Sequence, residues 1–98
     1  MTIQDIKFSV EKICDRHNVK KLVLFGSYAR GEESSDSDMD FCVSFSSLSP
    51  KEYAKHFFGV FHELQETLGH KVDLLSEHGL TKQSLKERID RDGVRLYG

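Results

Sequence analysis

The chain has 98 residues, 38% of them hydrophobic and 31% charged, with a net charge of −2. That length suits one domain over residues 1–98, a small sheet with a few covering helices, and excludes a second domain. The near-balanced charge argues against nucleic acid as a partner. A start without a secretory leader and the lack of a long apolar run argue against a membrane, so a cytoplasmic protein is expected.

Ile3, Ile6, Val10, Ile13 and Cys14 recur at three- and four-residue steps, which predicts an amphipathic helix over 3–17 ended by Asn18. Lys21 to Phe25 is a β-prone apolar run stopped by Gly26, read as a buried strand, and Tyr28 to Glu33 as a short helix. Residues 33–37 are polar turn formers and make a loop. Asp38 to Phe45 reads as a second strand.

Ser49-Pro50-Lys51-Glu52 is a capping box with proline at the first helical position, and starts a long helix that ends at Gly69. On it, Tyr53, Phe57, Phe61, Leu64 and Leu68 form the stripe that covers the sheet. Phe58 and Val60 fall beside the stripe and suggest either an exposed apolar patch for a partner or another subunit, or a simple broadening of the core. Lys71 to Ser76 is a third strand. Thr81 is expected to cap a last helix through Asp90, stopped by Gly93. The fold class is therefore α/β: a small mixed β-sheet flanked by helices, in the order α-β-α-β-α-β-α. Cys14 and Cys42, far apart in apolar surroundings, read as buried free thiols, and the five histidines show no zinc-like spacing.

The chemistry concentrates in three places. Asp38 and Asp40, two apart in a strand, present carboxylates on one face, where like charges near 4 Å repel by roughly 4 kcal/mol at an effective dielectric near 20. A proton or a divalent cation relieves that repulsion, and Mg2+ suits hard oxygen ligands shared with a phosphate. Asp73 lies in the other strand that carries a carboxylate among apolar residues. It completes a set able to hold two ions, one on a triphosphate and one on an attacking hydroxyl. Gly26-Ser27, between a buried strand and a helix, lets backbone approach phosphate, and Arg30 one turn later is placed to pair with it. As separate features these have ordinary readings: a solvated Asp-x-Asp, or Arg30 paired with Glu32 or Glu33. Together they favour a site. Arg88, Arg91 and Arg95 read as a solvated face that could also meet a polyanion or an acidic partner.

Gly26-Ser27, ten intervening residues, Asp38-Met39-Asp40 and the later Asp73 resemble the DNA polymerase β-like nucleotidyltransferase superfamily. The fuller run Gly26-Ser27-Tyr28-Ala29-Arg30-Gly31 with Ser37-Asp38-Met39-Asp40 is similar to its minimal branch over essentially the whole chain. The resemblance implies the polymerase β-like fold and Asp38, Asp40 and Asp73 as catalytic metal ligands, with Gly26, Ser27 and Arg30 binding the nucleotide. It also implies ATP as donor and a helical HEPN-type toxin as partner, a tyrosine of which accepts AMP, so that the chain acts as an antitoxin. Two other readings compete with this one. In the first, the chain is a binding antitoxin that masks its partner. In the second, it is the nucleotide-binding subunit of a small-molecule nucleotidyltransferase of the aminoglycoside-modifying kind.

Overall fold

In the computed structural model, which describes residues 1–34 and 36–98, the elements run α1 (Ile3–Arg16), β1 (Val19–Phe25), α2 (Gly26–Arg30), β2 (Met39–Phe45), α3 (Pro50–Leu68), β3 (Val72–Ser76), a 3-10 turn (Glu77–Gly79), α4 (Gln83–Asp92) and β4 (Val94–Tyr97). Both long helices begin in capping boxes. The Thr2 hydroxyl accepts the Asp5 N–H while the Asp5 carboxylate accepts that of Thr2, and Ser49 and Glu52 exchange the same pair of bonds. Each box satisfies backbone donors that the helix cannot.

The four strands form one mixed sheet in the order β3-β2-β1-β4. β1 pairs antiparallel with β2 and β4, whereas β3 lies parallel to β2 after the α3 crossover. Strand alternation divides the apolar residues between two faces. Leu22 and Leu24 of β1 and Met39, Phe41 and Val43 of β2 point to α1 and α3, where Ile6, Val10, Ile13, Val60 and Leu64 complete the main core. Phe25 and Cys42 point the other way and meet Ile89 of α4 in a smaller cluster. Cys14 and Cys42 are buried free thiols, as expected.

Several expectations need correction. α2 begins at Gly26 rather than Tyr28 and stops at Arg30, because Gly31 turns left-handed (φ 72°) and caps it. Thr81 caps nothing: the backbone stays extended through Lys82, which stands at the N-cap of α4 without a side-chain bond, while Leu80 tucks against the smaller cluster. Val60 is fully buried, so of the suggested patch only Phe58, 57% exposed, faces outward. Val94–Tyr97, given no structure by its sequence pattern, is an edge strand whose Leu96 reaches the core. Ser35, in the expected loop, lies outside the described residues. Among the described residues no helix is long and apolar enough to cross a membrane.

The α1–α3 contact has a polar end. His17 donates from Nε2 to Glu63, which Arg16 also binds, and His17 Nδ1 sits 3.0 Å from His56 Nδ1. Gly59 makes room for this: a Cβ there would lie 2.6 Å from the His17 ring, which explains a glycine inside a helix at a usual cost of about 0.5–1 kcal/mol relative to alanine. The hydrogen bond from His17, with that from Arg16, holds the Glu63 carboxyl below its ordinary value against partial burial. A depressed carboxyl contributes stability above its unfolded value that is lost as pH falls through the folded one. Urea unfolding of the wild type should therefore weaken between about pH 5 and pH 3 more steeply than that of Glu63→Gln; equal slopes would show that this cluster carries no acid sensitivity.

Candidate active site

β1 delivers the chain to Gly26 at one end of the sheet, and β2 starts at that same end beside it. Gly26 has φ 75°, a conformation that side chains with a Cβ rarely adopt. It also lies directly against β2: a Cβ on Gly26 would collide with the Asp40 carboxylate and come within 3.1 Å of Asp40 Cγ. Two independent constraints thus require glycine here. Ser27 follows in the first turn of α2, whose start has no side-chain cap from Phe25, leaving its first N–H groups available to a ligand.

The acidic residues follow from strand register. Phe25 stands opposite Asp40 across the antiparallel pair, and Asp40 is the register partner of Asp73 across the parallel one. Adjacent strands lie about 4.8 Å apart, and Asp40 and Asp73 emerge on the face that carries α4. Asp38, expected as the first residue of the second strand, instead lies in the loop one residue before β2, so strand alternation does not by itself put it on the face of Asp40. A bond from the Met39 N–H to the Lys71 carbonyl (3.0 Å) fixes the starts of both strands. Asp38 and Asp73 are exposed and Asp40 is half-buried. Burial, then the charges of Asp73 and Asp38, raise the Asp40 carboxyl above its ordinary value, against the opposing pull of Arg88 and Arg30.

The sheet therefore brings Asp38, Asp40, Asp73, Gly26 and Ser27 to one end. Among the described residues, no three His, Cys, Asp or Glu side chains stand close enough to enclose an ion as they are placed. The donor set still fits one: three oxygen-donor carboxylates at one sheet end, one of them crowded by the other two, suit a hard divalent cation. Arg30 is engaged differently from the expected free phosphate ligand, with Nε 3.3 Å from Glu32 and Nη1 3.9 Å from Asp92 of α4. Arg88, like Arg91 and Arg95, is exposed, as expected of a solvated face, and its charge also opposes the rise of the Asp40 carboxyl. The signal for it was the spacing Leu85, Arg88, Asp92, a helical stripe that turns toward the sheet and α2.

The Gly26–Asp40 contact can be measured as an energetic coupling. Gly26→Ala should cost more in urea unfolding than the about 1–2 kcal/mol of backbone strain, because the clash with Asp40 adds to it, and in an Asp40→Ala background that added part, at least about 0.5 kcal/mol, should disappear. Additive costs would mean that the carboxylate does not bear on Gly26.

Residues 7–96 match the nucleotidyltransferase domain family. A Methanocaldococcus jannaschii protein provisionally named protein adenylyltransferase is 33% identical over 95 residues, which cover 93% of this chain and 94% of the relative. A solved structure provisionally described as a minimal nucleotidyltransferase superposes with a TM-score of 0.70 at 32% identity, over 96% of this chain and 95% of that one. The MNT antitoxin complex with a tri-AMPylated Shewanella oneidensis HEPN toxin aligns with a TM-score of 0.69 at 20% identity, over 99% of this chain and 73% of that one, a likeness of fold. The chain belongs to the nucleotidyltransferase domain family, in its minimal branch.

Proposed function

We propose that this nucleotidyltransferase moves AMP from ATP to a tyrosine hydroxyl of a helical HEPN-type toxin and so acts as its antitoxin. The observation that carries the proposal is the close approach of Gly26 to Asp40, which sets a glycine turn at a helix start against a carboxylate whose neighbour in register is Asp73. Relatives named protein adenylyltransferase, and the MNT antitoxin found with an AMPylated HEPN toxin, support the donor and the acceptor.

Asp38, Asp40 and Asp73 would hold Mg2+, two ions in the favoured arrangement. When bound, the metal neutralises phosphate charge and lowers the pKa of the attacking hydroxyl. The Gly26 turn and the Ser27 hydroxyl bind the distal phosphates with the open N–H groups of α2. Arg30 leaves Glu32 and Asp92 for a phosphate oxygen, a charge-assisted bond stronger than the exposed pairs it gives up. Asp73, at the outer strand of the three, faces the entering hydroxyl and takes its proton. The oxygen then attacks the α-phosphorus in line, the bond to the β-phosphate oxygen breaks, and pyrophosphate leaves.

Incubated with labelled ATP, magnesium and its toxin partner, the wild type should label the partner at tyrosine, and Asp38→Ala plus Asp40→Ala should lower that rate at least about a hundredfold. No labelling by the wild type, or undiminished labelling by the double variant, would sink the proposal. If the double variant still protects cells from the toxin in full, masking and not transfer neutralises the partner.

A further inference from the structure

Tyr28 follows Ser27 on α2, and its hydroxyl lies 2.7 Å from His70 Nε2 in the turn before β3. His70 Nδ1 lies 2.9 Å from the Lys71 carbonyl oxygen. A carbonyl only accepts, so Nδ1 carries the proton, Nε2 offers its lone pair, and the Tyr28 hydroxyl donates to it. The same Lys71 carbonyl accepts the Met39 N–H at 3.0 Å. One relay thus runs from the phosphate turn through His70 to Lys71, two residues before Asp73, and on to Met39 between Asp38 and Asp40.

Among the described residues, this is the one side-chain hydrogen bond that leaves α2 for a segment beyond its own loop. The two rings meet edge to face, with centroids 5.3 Å apart. Tyr28 also packs against the main core, and both residues are half-buried, where water competes less well for the bond. Strand register already holds Gly26 against Asp40, but α2 is only five residues long and carries no side-chain cap at its start, so the rest of the helix needs a further tie to keep its orientation over the carboxylates.

We propose that Tyr28 and His70 are positioning residues: their hydrogen bond sets the phosphate-binding turn at working distance from the strands bearing Asp38, Asp40 and Asp73. The role rests on the nucleotide-binding reading given above. It follows from the demands of in-line displacement, in which a 1 Å misplacement can cost about a hundredfold in rate.

The test uses the whole chain and titrates Mg2+ with the nonhydrolysable analogue AMP-PNP, so no acceptor is needed. Tyr28→Phe removes the donor. His70→Asn ends near the Nδ1 position and loses the bond to Tyr28, whereas His70→Gln reaches the Nε2 position and keeps an acceptor there. Tyr28→Phe and His70→Asn should each weaken the analogue about tenfold, the worth of one partly buried hydrogen bond, while His70→Gln stays within about threefold of wild type. All three should remain folded at the assay temperature by circular dichroism, and nitrogen NMR of the wild type should show His70 protonated at Nδ1. Unchanged affinity in the first two variants, His70→Gln as impaired as His70→Asn, or an Nε2-protonated His70 would each overturn the role. If the affinity pattern holds while the wild type labels no toxin, the acceptor assignment fails and the positioning role stands.

Discussion

The contact between the Gly26 backbone and the Asp40 carboxylate organises the acidic end of the sheet. Strand pairing sets Phe25 opposite Asp40, so the residue after Phe25 must pass close to that carboxylate as the chain turns into α2. Only a residue without a Cβ can pass there, and only glycine takes φ 75° at little cost. The turn that favours phosphate and the strand that carries acid are consequently in van der Waals contact, with no loop between them to drift. The third carboxylate follows from the parallel register of β3.

Packing is unequal on the two sides of the sheet. α1 and α3 cover one face with a continuous core, and the other face has a small cluster under α4, where Ile89 is the buried residue of the helix. The acidic residues lie on the thinly covered face. There α4 supplies charge more than apolar area: Arg88 acts on Asp40, and Asp92 reaches Arg30. A crowded carboxylate set thus sits where cations can approach it, while the stability that offsets its mutual repulsion resides in the opposite layer.

Much of this was legible because it is local. The spacing of Ile6, Val10 and Ile13 marks a helix and Ser49-Pro50-Lys51-Glu52 marks its own start, whereas the strand alternation expected of Asp38 and Asp40 does not apply, because β2 begins only at Met39. What stayed hidden depends on partners distant in sequence. Val94–Tyr97 is too short to declare itself a strand until β1 offers an edge. The spacing of Val60 fits either a patch or a broader core, and only the packing of α3 over the sheet, which buries a wide arc of the helix, decides for the core. Thr81 has the right chemistry for a cap, but the placement of Leu80 under α4 keeps the chain extended one residue further. Tyr28 and His70 are separated by 42 positions, and no spacing rule joins them.

The fit of Gly26 to Asp40 also limits how the chain can diverge. Asp38 and Asp73 face solvent, and a larger polar side chain at either meets no packed neighbour, although its charge is felt at Asp40. Position 26 and position 40 do not have that freedom, because any side chain gained at 26 occupies the space of the carboxylate at 40. A descendant that abandoned nucleotide chemistry could fill position 26 only after shortening position 40, and would still bear the backbone strain of φ 75°. Loss of the glycine and loss of the acid should therefore travel together down a lineage, leaving paired substitutions as the record of a scaffold that has retired from catalysis.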